Sequence, residues 1–393
     1  MLTTQIHSKL PQVGTTIFTV MSKLAADAGA LNLSQGFPNF ETDPVLLDLV
    51  TKAMRAGHNQ YAPMAGVPAL REAIAQKSTR LYGRSAGAIN YEPDTEITVT
   101  SGATEALFAA ITAVVQPGDE VLVFEPAYDS YVPAIELAGG IPVFVSLTPP
   151  YYAVDWDKVA DKLSKRTRLI IVNTPHNPTG RVWTADDLDQ LAALVQAHDL
   201  LVVSDEVYEH ITFDGREHHS LMQHPLLRER TFVIGSFGKT FHITGWKIGY
   251  CLASPNLTTE FRKVHQFLTF SVSTPMQYAL AEYLAEPARY ESLPGFYQQK
   301  RNVFLEAIAG SHFQYVPTEG SFFQNVSYAP ITDEPDYDLA VRLTREIGVA
   351  SIPVSVFYDQ RNDYHILRFC FAKDDDTLRR AGERLSEWSI RHA

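Results

Sequence analysis

Cysteine is scarce in this chain: only Cys251 and Cys370 occur in 393 residues, each inside an apolar run (Ile248 to Leu252 and Phe369 to Phe371). Two such thiols argue against a disulfide framework or a cysteine-built metal site and are expected to be buried and inert in a reducing compartment. Long hydrophobic runs are missing as well. No apolar stretch reaches the roughly 18 residues that a membrane span requires. The opening Met1–His7 shows no basic segment followed by an apolar one, so a secretory leader is not expected and the cytoplasm is the default location. Basic residues are in deficit, 33 Lys and Arg against 45 Asp and Glu, for a net charge of −12. That balance disfavours nucleic acid or an anionic membrane as a partner for the whole surface, although it leaves room for a local basic pocket. There is no HExxH motif, internal repeat or low-complexity tract. Glu217-His218-His219 lies in a polar loop and is expected to be exposed to solvent rather than to hold a metal.

What is present is the composition of a globular protein, 45% hydrophobic and 20% charged, at a length that calls for more than one core. Ile17, Met21, Leu24 and Ala25 recur at helical spacing up to Gly29, and helices are expected at Pro44–Ala56 and about Pro68–Tyr82. From residue 96 short apolar strands alternate with longer helical stretches. The strands are Ile97–Thr100, Glu120–Phe124, Ile141–Val145, Leu169–Val172, Leu200–Val203 and Thr231–Ile234. The helices are Thr104–Val115, Tyr128–Leu137, Asp155–Leu163 and Ala185–His198. This alternation predicts an α/β fold: a large domain with a mainly parallel sheet of the seven-stranded type covered by helices. After Pro275 the pattern changes to helices over 276–286 and 290–309, β-like segments at Gly320–Val326 and Leu367–Phe371, and a helix over about Thr377–Ile390. The expected division is 1–42 as an N-terminal segment packing with a small domain, 43–285 as the large domain, and 286–393 as a small α+β domain.

Ligands of parallel sheets sit at the carboxyl ends of the strands, and there the unusual residues cluster. Val233-Ile-Gly-Ser-Phe-Gly-Lys-Thr240 presents Lys239 on a Gly/Ser turn after an apolar run. A nucleotide-binding loop would need glycine at position 233, which is valine, so a reactive amine is the reading that survives. Ser101-Gly-Ala-Thr-Glu-Ala106 can turn helix N–H groups toward a phosphate, or Ser101 and Thr104 can simply cap the helix. Asn173-Thr-Pro-His-Asn-Pro-Thr-Gly180 is a proline-locked loop able to aim an amide. In Ser204-Asp-Glu-Val-Tyr208, a carboxylate at the end of a buried strand calls for a cationic partner, with Tyr208 close by. An amine, a carboxylate, hydroxyl and amide donors and an anion cup are together what pyridoxal 5′-phosphate requires.

In order and spacing these three motifs, Asn173 to Gly180, Ser204 to Tyr208 and Ser236-Phe-Gly-Lys-Thr240, resemble the fold-type I, class I pyridoxal-phosphate aminotransferases over nearly the whole chain. Ser236 to Lys247, Phe267 to Pro275 and Gln60-Tyr-Ala-Pro-Met64 are similar to the bacterial methionine aminotransferases and to the related kynurenine/glutamine aminotransferase and cysteine-conjugate β-lyase group. The resemblance implies transamination between methionine or another apolar or aromatic amino acid and a 2-oxo acid. It makes Lys239 the amine that holds the cofactor aldehyde and later moves the proton at the substrate Cα. Asp205 is then the partner of the ring nitrogen, while Tyr208 and Asn177 meet the phenolate oxygen. Tyr128 stacks on the ring, and Gly102, Ala103, Thr104, Ser236 and Lys247 hold the phosphate. Tyr61 and Phe270 reach the site from a second copy of a homodimer. Arg368, with Gly36 and Asn177, binds the substrate carboxylate, a task suited to a guanidinium fork. Without the resemblance, Arg368 reads as a strand-edge surface residue. Lys247 departs from the wider class, which most often has arginine there, but the subgroup shares it.

Phe18, Tyr61, Tyr128 and Phe270 are implied walls of an apolar side-chain pocket, the alternative for each being a place in the core. No second cation for an acidic substrate stands within Gln266–Thr274, though Arg262 and Lys263 lie close in sequence. Two rival readings remain at this point: a β-lyase using the same residues, and a non-catalytic sensor domain of a transcription regulator. The sensor would carry a DNA-binding domain ahead of this fold, whereas here the pattern begins within the first 20 residues.

Overall fold

Seven strands form the central sheet of the computed structural model, which describes residues 7–83 and 90–393. Across the sheet they run Ile97–Thr100, Gly249–Leu252, Thr231–Ser236, Leu201–Asp205, Thr167–Asn173, Glu120–Glu125 and Ile141–Ser146. Gly249–Leu252 is antiparallel to both of its neighbours, and every other pairing is parallel. The expected α/β class and mainly parallel sheet are therefore observed. β-Branched residues suit strands covered on both faces, and alternate side chains divide between two cores. Val121, Val123, Leu169, Ile171 and Val203 pack under helix Gly102–Val114. Leu122, Phe124, Ile170, Val172 and Val202 face the other way, toward Leu191 and Val195 of helix Ala185–His198. Each such buried side chain contributes roughly 1.5–3 kcal/mol. The strand Ile141–Ser146 lies at the sheet's edge and is the most exposed of the seven.

Two strands continue past their apolar runs to include the polar residues of interest. Leu201–Asp205 and Thr231–Ser236 end on Asp205 and Ser236, because the backbone ladder persists where side-chain hydrophobicity stops. The helix expected from Tyr128 begins at Tyr131. The strand Gly249–Leu252 and the helices Pro255–Leu268 and Asp336–Glu346 were not legible as elements. The strand lacks alternation, being buried throughout, and the two helices carry many polar residues among their apolar ones.

The C-terminal part builds a three-stranded antiparallel sheet with Ile366–Cys370 in the middle, between Ile352–Pro353 and Phe323–Ser327. Helices Leu293–Ile308 and Asp375–His392 pack on each other beside it. The N-terminal segment joins this part: Leu31–Asn32 pairs with Val349–Ala350, and helix Ile17–Ala28 lies on Asp336–Glu346. Cys251 and Cys370 are both buried and free, as expected. Among the described residues no helix is long and apolar enough to cross a membrane.

Candidate active site

The carboxyl edge of the sheet meets the N-terminal segment and the strand Ile366–Cys370 around a cavity of roughly 320 Å³. Phe18, Gly36, Gly102, Ala103, Thr104, Tyr128, Asn177, Asp205, Tyr208, Ser236, Lys239, Lys247 and Arg368 all line it. Tyr61 and Phe270 do not. They lie on the surface, 82% and 48% exposed, with their rings edge to face at 5.5 Å. The reversed strand explains why Lys247 belongs to the group: Gly249, where that strand starts, pairs with both Ser236 and Thr100.

Lys239 sits in the short helix Phe237–Thr240 directly after the strand Thr231–Ser236. Thr240 donates its hydroxyl to the Ser236 carbonyl at 3.0 Å, and the N–H of Phe237 bonds the Ile248 carbonyl at 3.1 Å, so the turn is held on both sides. The Lys239 ammonium donates to the carbonyl of Gly36 at 3.1 Å and lies 5.6 Å from the Phe322 ring. Burial pushes its pKa down to about 8; the Asp205 carboxylate works against this, and Lys247 and Arg368 add to it. An amine so placed is partly uncharged at neutral pH and able to act as a nucleophile or base.

Asp205 is buried, and burial pushes its carboxyl up to about 6. Among the described residues its partners are the Tyr131 hydroxyl, which donates at 2.6 Å, and the Val207 N–H at 3.4 Å, with Lys239 acting at longer range. The Asp205 carbonyl accepts the Asn173 amide at 2.7 Å, and the Asn173 carboxamide oxygen accepts the N–H of Asn177 at 2.7 Å. The Asn177 side-chain oxygen in turn accepts from Arg368 Nη1 at 2.8 Å. One hydrogen-bonded chain thus connects two strand ends to the arginine.

Arg368 is not a surface residue. It lies in the central strand of the small sheet, fully buried, with Nη2 donating to the Ser34 carbonyl at 3.0 Å and its guanidinium 3.9 Å above the Phe323 ring. Its Nε has no partner among the described residues. Burial lowers its pKa to about 10, so it remains a cation aimed into the cavity.

At the other end, helix Gly102–Val114 opens into the cavity. Ser101 occupies the cap position but makes no side-chain cap bond, so the simple capping reading fails. Gly102 adopts φ +76°, and a Cβ there would lie 3.3 Å from Lys247 Cε. A Cβ on Gly249 would lie 3.0 Å from the backbone nitrogen of Ala103, so glycine is required for the helix start to rest on the strand. A lysine packed against a helix N-terminus is an arrangement able to hold an anion. Tyr128 borders it, and burial pushes its hydroxyl up to about 12.

Several contributors escaped sequence reasoning. Tyr131 and Ser34 each act through a partner distant in the chain, and Phe322 and Phe323 form an aromatic floor beneath Tyr208 and Arg368. The expected exposure of His218 is also wrong. Its side chain is buried, with Nε2 2.8 Å from the Glu206 carboxylate, because the polar loop folds back onto the sheet. Arg262 is occupied elsewhere, bonding Thr98 and the carbonyls of Asp94 and Ile97, while Lys263 pairs with Glu260 on the surface; neither lines the cavity.

Residues 28–385 match the family model for aminotransferase class I and II. The chain is 52% identical to the methionine aminotransferase of Escherichia coli over 97% of its own length and 98% of that protein. It is 36% identical to a kynurenine–oxoglutarate transaminase of Dictyostelium discoideum, over 95% of its length and 94% of the relative. A solved Escherichia coli structure, for which a methionine aminotransferase function was identified, superposes with a TM-score of 0.95 at 51% identity, covering 98% of this chain and all of that one.

Proposed function

The chain belongs to the aminotransferase class I and II family, and we propose that it moves the amino group of methionine and other apolar or aromatic amino acids to a 2-oxo acid. Pyridoxal 5′-phosphate is its cofactor in this reading, and a homodimer with shared sites its working form. The observation that carries the reading is a single cavity holding a depressed amine, a buried carboxylate, an anion cup and an unsaturated buried arginine. That donor set fits the cofactor. Lys247 against the Gly102 helix start suits its phosphate, Tyr128 its ring and Asp205 its ring nitrogen.

When bound, pyridoxal phosphate supplies an aldehyde for amine exchange and a ring that takes up the electron pair released at the substrate Cα. The chain does the rest. Lys239 would hold the aldehyde and, once its amine is free, would take and return the proton at the substrate Cα. Asp205 would hold the ring nitrogen in its protonated form, and Asn177 and Tyr208 would serve the phenolate oxygen. Gly102, Ala103, Thr104, Ser236 and Lys247 hold the phosphate, and Tyr61 completes that cup across the dimer. Arg368 takes the substrate carboxylate through the edge left by its unpartnered Nε, steadied by Asn177 and with Gly36 beside it.

Phe18, and Phe270 from the second subunit, offer aromatic walls to the substrate side chain. The occupied Arg262 and surface-paired Lys263 leave no second cation from that segment for an acidic side chain. The division into 1–42, 43–285 and 286–393 belongs to the same reading, supported by the pairing of Leu31–Asn32 with the C-terminal part.

The test is a panel of amino donors, including methionine, phenylalanine, kynurenine and aspartate, against several 2-oxo acids. Methionine and the aromatic donors are expected to exceed aspartate; the reverse order would refute the pocket assignment. Lys239→Ala is expected to lose transamination with every donor, and full activity in that variant would refute the site.

A further inference from the structure

His265 is fully buried near the end of helix Pro255–Leu268, and both of its ring nitrogens are engaged. Nε2 lies 3.0 Å from the Met64 carbonyl oxygen, and Nδ1 lies 2.9 Å from a carboxylate oxygen of Glu105. A carbonyl only accepts, so Nε2 carries a proton. The contact between Nδ1 and the carboxylate then holds another, whichever of the two groups bears it. The second Glu105 oxygen accepts the backbone N–H of Ser101 at 3.0 Å. Glu105 stands in the first turn of helix Gly102–Val114, the helix whose start forms the anion cup. His265 therefore fastens the cup to the loop Gln60–Gly66.

That loop carries Tyr61, and its carbonyls are held at close intervals. Thr274 donates its hydroxyl to Gln60 at 2.5 Å, Ser271 to Ala62 at 3.0 Å, His265 holds Met64, and the N–H of Val99 bonds Ala65 at 3.0 Å. Of these four, the His265 ring is the one that also bonds a residue of the cup's helix. The backbone carbonyl of His265 accepts from Thr269 at 3.0 Å and from Phe270 at 3.1 Å, and Phe270 is the ring against which Tyr61 rests.

We propose that His265 is a positioning residue that couples the phosphate cup of one subunit to the Tyr61 that this subunit presents to its neighbour. The two cups of the dimer are then connected through Glu105, His265 and Met64, and cofactor binding in one subunit sets the aromatic ligand of the other. This inference rests on the cofactor and dimer reading above.

The test is a double-mutant cycle between His265→Gln and Tyr61→Phe, read as the cofactor dissociation constant from the absorbance of the bound pyridoxal phosphate. His265→Gln is expected to weaken binding on the order of tenfold, and the double variant to bind no worse than the weaker single one. Wild-type affinity in His265→Gln, or two effects that multiply, would overturn the coupling. Should His265→Gln fail to fold, Glu105→Ala replaces it in the same cycle, since it removes the carboxylate that Nδ1 meets; the same outcomes decide. Wild-type protein that takes up no cofactor would overturn the function proposed above together with the coupling. Wild-type uptake with a multiplicative cycle would overturn the coupling alone.

Discussion

Lys239 and Asp205 are displaced in opposite directions by the same cause. Burial disfavours the charged form of each, so the amine falls to about 8 and the carboxyl rises to about 6. The sign for reactivity follows: below its pKa the lysine is an ammonium without a lone pair, and above it a free amine. Reaction of the cofactor-free protein with an aldehyde should therefore rise through pH of about 8. Trapping with a reductant across a pH series measures this, and a midpoint near the ordinary lysine value would contradict the burial argument. Both residues were legible as polar groups closing apolar strands. The Tyr131 hydroxyl that serves Asp205 was not, because it lies 74 positions away and a buried tyrosine in a helix looks like core. Arg368 shows the same limit: alone it has no signal, and its burial follows from the central place of its strand in a sheet assembled from distant segments.

At the scale of elements, the strand Thr231–Ser236 and its antiparallel neighbour Gly249–Leu252 set the position of Lys239. Gly235 faces the Tyr250 ring so closely that a Cβ would lie 2.1 Å from Tyr250 Cζ. The ring cannot swing aside, because its hydroxyl accepts from Lys77 at 2.7 Å and donates to Glu209, which is itself ion-paired to Lys77 at 2.5 Å. Burial alone would raise the Glu209 carboxyl, but Lys77 and its hydrogen bonds hold it well below the usual range. Gly235→Ala is therefore expected to destabilise the protein by about 1–3 kcal/mol through overpacking. Chemical denaturation measures this, and an unchanged midpoint would mean that the Tyr250 network yields more readily than its bonds imply. The parallel strands were legible because runs of valine, isoleucine and leucine between helical stretches have few other uses. The strand Gly249–Leu252 was not, since a short, wholly buried strand after a turn has no periodicity to read.

At the scale of the molecule, Tyr61, Phe267 and Phe270 stand out: Phe267 is 86% exposed, and all three gather where loop Gln60–Gly66 meets the end of helix Pro255–Leu268. If this face is shared between two subunits, a mixture of Lys239→Ala and Tyr61→Ala proteins, dissociated and reassociated, should regain activity that neither has alone to the same degree. The hybrid joins an intact Lys239 in one chain to an intact Tyr61 from the other. A mixture no more active than the average of its parents would refute shared sites. The sequence by itself determined the α/β class, the strand ends and the motifs around Lys239, Asp205 and Asn177, because hydrophobic period and local turn chemistry act over a few residues. The tertiary structure alone decided that Tyr131 serves Asp205, that Arg368 is buried beside Asn177 and Ser34, that His218 turns inward, and that His265 spans Glu105 and Met64. Those are contacts between segments far apart in the chain, and only the closing of the fold brings their partners within hydrogen-bonding distance.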